Sequence, residues 1–491
     1  QLQSLIDSPQ ELLELINDCL KPKIIEKKAL GEVFTPMSFV NTKMLRDLEI
    51  YYYEKYNKNV FEDETLTWGD TTTGMGNFAI AIYYKLMDGL QNKIPNKFNR
   101  KKHILENMLY MAEINKKNCF IVNQIFNIGN EFKLNLYEGD SLQLDIEKEF
   151  GISKFDIIIG NPPYNAEFKG KNGYAPALYN KFTEYYIKKC SILCYVIPSR
   201  WFSGGRGLDG FRKMMLSRKD IAYINHFDDA SKIFGNSVDI KGGVNYFLKD
   251  DRYSGQCCYN NTMLTLDECD ILIESKYLPL VNKMQVFSKL NTSYRSKGYF
   301  GIPLTDERLH DNCEIGDIKC YVSQNKGFNK YIKSENIKEN RLDSWQIITP
   351  SAAHGAFSGF GNLIIGSPNE VYSETYISFA INTEAEATSL LSYMKCRLPN
   401  MLLSIRKISH NISNDTCKWI PLPPLNKEWT DDDVYKHFKL SVDDIQLIND
   451  TNVIGYKNIV KLPTNIVEKE IVVEDVKPKV KKLRIVKDKT A

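Results

Sequence analysis

The chain has 491 residues, of which 43% are hydrophobic and 25% charged, a composition that excludes a disordered or collagen-like protein and leaves room for two or three domains. Lys and Arg total 64 against 61 Asp and Glu, so the net charge is only +3, and any contact with nucleic acid must come from local patches. The 11 cysteines include no CxxC pair, and no apolar run approaches the roughly 20 residues of a membrane span. We therefore expect a cytoplasmic protein without a metal site, disulfide framework or membrane segment.

The hydrophobic pattern predicts alternating helices and strands in the first half of the chain. Apolar residues at helical spacing predict an amphipathic helix over residues 8–20, and a basic connector follows over 21–28. Strands are then predicted over 65–69, 108–112, 134–137, 155–159, 192–197 and 243–248, and helices over 77–86, 116–126 and 178–189. Because helices separate individually apolar strands, the pattern indicates an α/β fold whose mostly parallel sheet is covered on both faces and binds ligands at the carboxyl ends of its strands.

The alternation stops near residue 252, where irregular stretches and clusters of Gly and Ser take over. We predict an N-terminal helical segment over 1–30, an α/β domain over 31–255, a second, mixed α/β domain over 256–450, and an extension over 451–491. The extension contains a basic, core-poor stretch at 477–489, which predicts a disordered tail.

A glycine-containing turn follows the first predicted strand of the sheet. Asp70 is followed by three threonines that include Thr72, and Gly74 and Gly76 precede the helix that contains Phe78. Two glycines allow a tight turn in which the amides at a helix N-terminus approach a ligand, although an ordinary strand-to-helix turn explains the same pattern. The third glycine of a dinucleotide fingerprint and the lysine of a P-loop are absent, which argues against NAD and ATP.

Acidic residues follow the next two predicted strands. Glu113 stands where nucleotide-binding α/β sheets place an acid that accepts hydrogen bonds from both ribose hydroxyls. Asp140 follows the third strand, where a carboxylate can accept an amino proton of an adenine ring. Taken alone, each residue is explained equally well by a local role, Glu113 as a solvated acid at a helix start and Asp140 as an N-cap.

The fourth predicted strand runs directly into Asn161, Pro162, Pro163 and Tyr164. Two prolines remove two amide donors and hold the chain extended, which leaves the carbonyl oxygen of Pro162 as an uncommitted acceptor. The side-chain oxygen of Asn161 is a second acceptor, and the Tyr164 ring offers a face for a flat heterocycle. Two acceptors beside a stacking ring fit an exocyclic amine, whose lone pair they would free to attack an electrophilic methyl group. A purely structural turn has little use for this combination.

These motifs, in this order, resemble those of the γ-class N6-adenine DNA methyltransferases of type II restriction-modification systems. The similarity covers roughly residues 30–450. It implies a Rossmann-like methyltransferase domain that uses S-adenosylmethionine to methylate a flipped-out adenine in double-stranded DNA, and a C-terminal target-recognition domain. It also implies a bacterial or viral host cytoplasm. Residues 71–73 depart from the Pro-containing sequence of many relatives, but because backbone amides are the donors of this loop, only cofactor affinity should change.

The resemblance implies roles for individual residues. Residues 31–36 are similar to the motif that binds the methionine part of the cofactor, and Phe182 is similar to the residue that packs on its adenine ring. The implied cofactor-binding residues are Thr35, Pro36, Asp70, Thr72, Gly74, Gly76, Phe78, Glu113, Asp140, Asn161 and Phe182. The implied catalytic motif is Asn161, Pro162, Pro163 and Tyr164, and Tyr164 and Phe234 are the implied aromatic contacts to the target base.

Local clusters of basic residues predict contacts to DNA phosphates, which position a protein without specifying sequence. The candidates are Arg200, Arg206, Arg212, Lys213, Lys326, Lys330, Lys333, Arg406 and Lys407. A solvated surface is the simpler explanation for any single one of them.

Three other functions remain to be weighed. Similar tetrads serve planar amines generally, so an RNA base or a glutamine amide in a protein is an alternative substrate, although such enzymes are usually smaller. A DNA-binding homologue without catalysis would have no use for Glu113. A fused nuclease is not expected because little sequence precedes Gly31, so any partner endonuclease is expected on a separate chain.

Overall fold

The structure is a computed structural model that describes residues 35–166, 175–204, 207–235, 240, 242–323, 329–353, 355–407 and 409–460. The predicted N-terminal helix, Arg206, Lys326 and the predicted basic tail lie outside the described residues. The chain divides into two compact units with the border between Pro279 and Leu280. Within the described residues, no helix is long and apolar enough to cross a membrane.

A nine-stranded sheet organises the N-terminal unit. Its strands are β1 (Trp68–Asp70), β2 (Leu109–Glu113), β3 (Asn135–Glu138), β4 (Phe155–Gly160), β5 (Cys190–Pro198), β6 (Ile221–Phe227), β7 (Val244–Asp250), β8 (Cys257–Tyr259) and β9 (Thr262–Leu264). They lie in the order β3-β2-β1-β4-β5-β7-β6-β8-β9. The first five strands pair in parallel, whereas β7 pairs antiparallel with both β5 and β6. The predicted α/β fold with a mostly parallel sheet is confirmed.

The helices of this unit and the one that crosses its border are α1 (Met37–Phe39), α2 (Arg46–Tyr56), α3 (Asn77–Gly89), α4 (Lys97–His103), α5 (Lys116–Asn127), α6 (Ile146–Phe150), α7 (Tyr179–Tyr186), α8 (Asp209–Leu216), α9 (Ser231–Phe234) and α10 (Leu278–Met284). A π-helical stretch, Val40–Leu45, joins α1 to α2. The predicted helix over 178–189 ends earlier, at Tyr186, because Cys190 already begins β5.

Two apolar cores lie on the two faces of this sheet. Along β4, Ile157 and Ile159 pack into one core, while Phe155 and Ile158 pack into the other. Residues of α2, α3 and α5 complete the first core, and residues of α7 and α8 complete the second. Successive side chains of a strand point to opposite faces, so a strand that is apolar at nearly every position needs cover on both.

The sheet continues to Leu264, past the border that the sequence predicts at residue 255, because β8 pairs in parallel with β6 and β9 pairs with β8. Both strands have three residues, which is too short for a periodicity argument. The predicted borders of the functional domains stay predictions.

Two smaller sheets organise the C-terminal unit. The strands are β10 (Tyr294–Arg295), β11 (Asp317–Tyr321), β12 (Asn329–Lys333), β13 (Trp345–Pro350), β14 (Ile364–Gly366), β15 (Glu370–Tyr372) and β16 (Tyr376–Ile381). The order β10-β16-β13-β14 forms an antiparallel sheet, and β12-β11-β15 forms a mixed one. The helices after them are α11 (Glu384–Met394), α12 (Arg397–Arg406), α13 (Asn414–Cys417), α14 (Asp431–His437), α15 (Val442–Asp450) and α16 (Tyr456–Val460). The predicted mixed α/β character of this part is confirmed.

Candidate active site

A cleft with a volume of about 300 Å³ opens at the carboxyl ends of β1 to β4. These strands are neighbours in the sheet and parallel, so the residues that follow them meet at one edge. The cleft is lined by Thr35, Thr72, Thr73, Gly74, Met75, Asn77, Phe78, Ala112, Glu113, Ile114, Asp140, Ser141, Leu142, Asn161, Pro162, Pro163, Asn165, Ala166, Leu178 and Phe182. Its volume is at the lower end of the roughly 300–1,000 Å³ of small-molecule sites.

The glycine-containing turn forms one wall of this cleft. Gly74 and Gly76 have φ angles of +55° and +100°, a region that glycine adopts without the strain other residues incur. The turn is tied to β2, because the amide of Thr73 donates to the carbonyl oxygen of Ala112 at 3.1 Å. Gly76 is the N-cap residue of α3, so the turn leads directly into the start of that helix.

Glu113 ends β2 inside the cleft and is held by two backbone amides. Its Oε2 accepts from the amide of Gly74 at 2.7 Å, and its Oε1 accepts from the amide of Asn115 at 2.7 Å. Burial raises the pKa of Glu113, while these two hydrogen bonds oppose the rise. A carboxylate oxygen has more than one acceptor site, so Glu113 can accept further hydrogen bonds from a ligand in the cleft.

Asp140 serves as an N-cap and also lines the cleft. Its Oδ1 accepts from the amide of Leu142 at 3.0 Å, which caps the short helix Ser141–Gln143. Within the described residues, Oδ2 has no hydrogen-bond partner, and the side chain is exposed. The two readings of this position from the sequence are therefore compatible, because one oxygen caps the helix and the other is available to a ligand.

The side chain of Asn161 is oriented by a hydrogen bond to Thr35. Nδ2 of Asn161 donates to Oγ1 of Thr35 at 3.0 Å, so the amide nitrogen faces Thr35 and the amide oxygen faces away from it. Thr35 is itself fixed, since its carbonyl oxygen accepts from Nδ2 of Asn77 at 2.8 Å. On the other side, Oγ1 of Thr72 donates to the backbone carbonyl oxygen of Asn161 at 3.1 Å. The predicted catalytic and cofactor segments are thus joined directly.

Two aromatic residues meet beside this motif. The rings of Tyr164 and Phe234 lie edge to face, with centroids 6.4 Å apart and planes inclined by 72°. Tyr164 is buried, and burial raises the pKa of its hydroxyl, so the phenol is neutral at physiological pH. The structure brings together the two rings that the sequence analysis assigns to one base, although neither ring lines the cleft itself.

Apolar side chains supply the remaining walls. Phe78 from the start of α3 and Phe182 from α7 both line the cleft, as do Met75, Ile114 and Leu142. Ile114 is 59% exposed, so it leaves an apolar surface at the edge of the cleft. A flat ring could pack between such walls while Glu113 and Asp140 accept its polar hydrogens.

Three predicted cofactor residues do not line the cleft. Asp70 lies fully buried behind the turn, where its Oδ1 accepts from the amide of Thr72 at 3.4 Å. Burial raises the pKa of Asp70 to about 7. Pro36 is the N-cap residue of α1, and Gly76 is the N-cap residue of α3. In this structure these residues shape the turn and the helix starts that border the cleft, and their predicted roles stay predictions.

The predicted phosphate contacts have different surroundings. Arg200 follows β5 at the same edge of the sheet as Asn161, and it has no ion pair within the described residues. Lys330 of β12 donates to Asp311 at 2.7 Å. The expectation for Arg406 and Lys407 does not fit the structure because both are buried.

The burial of these last two residues is explained by internal partners. Arg406 pairs with Asp415 at 2.9 Å, and its guanidinium group lies over the ring of Trp419. Lys407 donates to Ser358 at 2.6 Å. Burial lowers the pKa of Lys407 to about 8. Charge in the sequence alone did not reveal that these cations face the interior.

Comparison with known proteins agrees with this geometry. Residues 71–234 match the model of the Eco57I restriction-modification methylase family. This segment is similar to the methyltransferase domain of that family. It contains the glycine turn, Glu113, Asp140 and Asn161, and it ends at Phe234. The predicted enzyme class, an adenine-specific DNA methyltransferase, is confirmed, whereas the predicted γ-class, type II assignment stays a prediction.

One curated relative and two solved structures are similar to this chain. An uncharacterized adenine-specific methylase of Mycoplasma pneumoniae is 26% identical over 315 residues, which are 50% of this chain and 72% of the relative. The Type ISP restriction-modification enzyme LlaGI is 12% identical, with a TM-score of 0.49 over 84% of this chain. This chain spans about half of LlaGI, 47% of its length. The Type IIL enzyme MmeI is 13% identical, with a TM-score of 0.40 over 83% of this chain and 70% of MmeI.

Sequence reasoning missed one link of the site, the hydrogen bond from Asn161 to Thr35. The two residues are 126 positions apart, so no local pattern connects them. It also missed Asn77, whose side chain fixes Thr35, because an Asn at the start of a helix is ordinarily read as a local feature.

Proposed function

We propose that the chain is a γ-class, type II-like DNA methyltransferase that transfers a methyl group from S-adenosylmethionine to N6 of a flipped-out adenine in double-stranded DNA. The observation that carries this proposal is the cleft that Asn161 lines together with Glu113 and Asp140. The side chain of Asn161 is oriented there by its hydrogen bond to Thr35. A cytoplasmic location and a separate cognate restriction endonuclease are part of the same proposal.

The residues of the cleft fit S-adenosylmethionine. Glu113 can accept hydrogen bonds from the ribose hydroxyls, because it lines the cleft and a carboxylate oxygen has more than one acceptor site. The second oxygen of Asp140 can accept from the amino group of the adenine, and Phe182 supplies an apolar wall for its ring. When bound, S-adenosylmethionine would supply an electrophilic methyl group.

The chain's own residues would prepare the target nitrogen. The amide oxygen of Asn161 and the carbonyl oxygen of Pro162 would each accept one hydrogen of the exocyclic amine, which draws the nitrogen from planar towards tetrahedral geometry. Its lone pair would then leave conjugation with the ring and become nucleophilic. The hydrogen bond that Asn161 donates to Thr35 holds its amide in one orientation, and such preorganised placement lowers a barrier by avoiding reorganisation during the reaction.

The target base would need a stacking partner outside the duplex. Extruding a base costs a few kcal/mol, which contacts in the enzyme must offset. Tyr164 and Phe234 are the proposed partners because their rings meet directly beside the Asn161 motif. Since Tyr164 is buried, the base would displace the atoms that now cover its ring. We propose that the C-terminal unit supplies sequence recognition.

Sequencing of modified bases in DNA from cells that express the chain tests this proposal. We expect N6-methyladenine at one short sequence context, and none in cells that express the Asn161→Ala variant. Methylation that appears only in RNA, or only on glutamine side chains of proteins, would replace the proposal with one of the two alternative substrates.

A further inference from the structure

Two arginines of the C-terminal unit contact the ring of one tyrosine. The Cζ atoms of Arg295 and Arg341 lie 4.5 and 4.9 Å from the ring centroid of Tyr299. Arg341 also donates from Nη1 to the carbonyl oxygen of Tyr299, and Arg295 donates from Nη2 to Oγ of Ser344 at 3.0 Å. Two guanidinium groups thus contact the same ring, and we call these three residues, Arg295, Tyr299 and Arg341, the arginine cluster.

The arginine cluster has no acidic partner in the part of the chain that the structure describes. Two other arginines of the same unit do have one. Arg308 pairs with Asp306 at 2.6 Å, and Arg406 pairs with Asp415 at 2.9 Å. The two positive charges of the cluster therefore have no carboxylate within ion-pair distance among the described residues.

Two positive charges on one ring repel each other. The contacts of Arg295 and Arg341 with the Tyr299 ring oppose this repulsion. A cation over an aromatic ring contributes about 0.5–1 kcal/mol at exposed sites. Nη1 of Arg295 is buried and has no acceptor within the described residues, which adds a desolvation cost. An anion bound at Arg341 would reduce the repulsion between the two positive charges.

Arg341 is the residue that an anion can reach. Its side chain is only half-buried, and its Nε and Nη2 atoms make no hydrogen bond to any described residue. The planar fork of a guanidinium group matches two oxygens of a phosphate at once. Arg295, which contacts the same Tyr299 ring, would add a second positive charge.

We propose that the arginine cluster binds a backbone phosphate of the DNA that the enzyme methylates, an inference that rests on the proposed function. A phosphate contact fixes the register of the protein on the duplex and carries no sequence information itself. Lys330 and Lys333 of the same unit are less suited to this role. Lys330 already pairs with Asp311 at 2.7 Å, and Lys333 pairs with Glu314 at 3.0 Å.

The test is the salt dependence of binding to a fluorescein-labelled duplex of random sequence, measured by anisotropy. Loss of one phosphate contact lowers the slope of log K against log salt by about 0.9. We expect that decrease for Arg341→Ala, and a larger decrease when Arg295→Ala is added. The matched control is Arg308→Ala, which removes an arginine that is already paired with Asp306 and should leave the slope unchanged.

The outcomes separate this inference from the proposed function. If the wild type binds random-sequence DNA and Arg341→Ala shows the same slope of log K against log salt, the inference about the arginine cluster is contradicted. The proposed function is not contradicted by that result. A decrease that appears with duplex RNA and not with DNA, or a loss of binding to one sequence without a change of slope, also overturns the inference about the arginine cluster. If the wild type shows no salt-dependent DNA binding, the proposed function fails first. Equal circular dichroism spectra and equal thermal unfolding midpoints of all variants show that they are folded.

Discussion

Replacing Thr35 by Val tests whether this residue positions Asn161 or only contacts the cofactor. Valine has nearly the shape of threonine but lacks the hydroxyl that accepts from Nδ2 of Asn161 at 3.0 Å. The carbonyl oxygen of residue 35 would still accept from Asn77, so the backbone should stay in place. The substitution therefore removes one hydrogen bond next to the proposed reaction centre.

The expected decrease in the rate of methyl transfer follows from Nδ2 of Asn161, the donor that loses its acceptor in Thr35→Val. Thr35 is buried, and a buried donor without its partner costs about 1–3 kcal/mol. If that free energy appears as misorientation of Asn161, methyl transfer should slow by about 5-fold to 150-fold. Thr35→Ser keeps a hydroxyl and should retain most of the activity.

Single-turnover methyl transfer, set beside equilibrium binding of S-adenosylmethionine, separates the two roles. We expect Thr35→Val to lower the rate constant for transfer while the dissociation constant of the cofactor changes little. A variant with weaker cofactor binding and a normal single-turnover rate at saturation would refute the positioning role of Thr35.

Three further predictions concern the cleft and the residues around it. Tyr164→Ala should weaken the fluorescence rise of 2-aminopurine at the target position while Tyr164→Phe keeps it, and an unchanged signal in the Ala variant would count against stacking. Glu113→Gln should raise the dissociation constant of S-adenosylmethionine by roughly tenfold or more, since it loses a charged acceptor worth about 1.5–3 kcal/mol, whereas Glu138→Gln, outside the cleft, should not. Burial raises the pKa of Asp70 from 3.8 to about 7, so its unfavourable contribution is absent at low pH and grows as pH rises towards 7. Urea unfolding should therefore show that the free energy of unfolding of the wild type falls relative to that of Asp70→Asn between pH 5 and pH 8. An equal difference in unfolding free energy at both pH values would contradict the raised pKa of Asp70.

The sequence predicts those parts of the site that depend on strand ends. Glu113 and Asp140 each follow a predicted strand, and parallel strands place their carboxyl ends at one edge of a sheet, so their proximity could be expected before the structure. The extended Asn161 motif could be expected as well, because two prolines restrict the backbone locally whatever surrounds them.

Features that depend on distant partners could not be predicted. The bond between Asn161 and Thr35 joins residues on different elements, and nothing in either local sequence encodes it. The antiparallel direction of β7 could not be predicted for a similar reason. An apolar run predicts a strand, but it does not show which strand it pairs with or in which direction. Arg406 looks like a surface cation in the sequence, yet the fold buries it against Asp415.

The most direct test of the central claim is nucleoside analysis by mass spectrometry after purified chain, S-adenosylmethionine and double-stranded DNA are incubated together. The account predicts N6-methyladenine with the wild type and none with Asn161→Ala, although that variant should still bind the cofactor. No methyladenine with the wild type, methylation of another base, or full turnover by Asn161→Ala would contradict it.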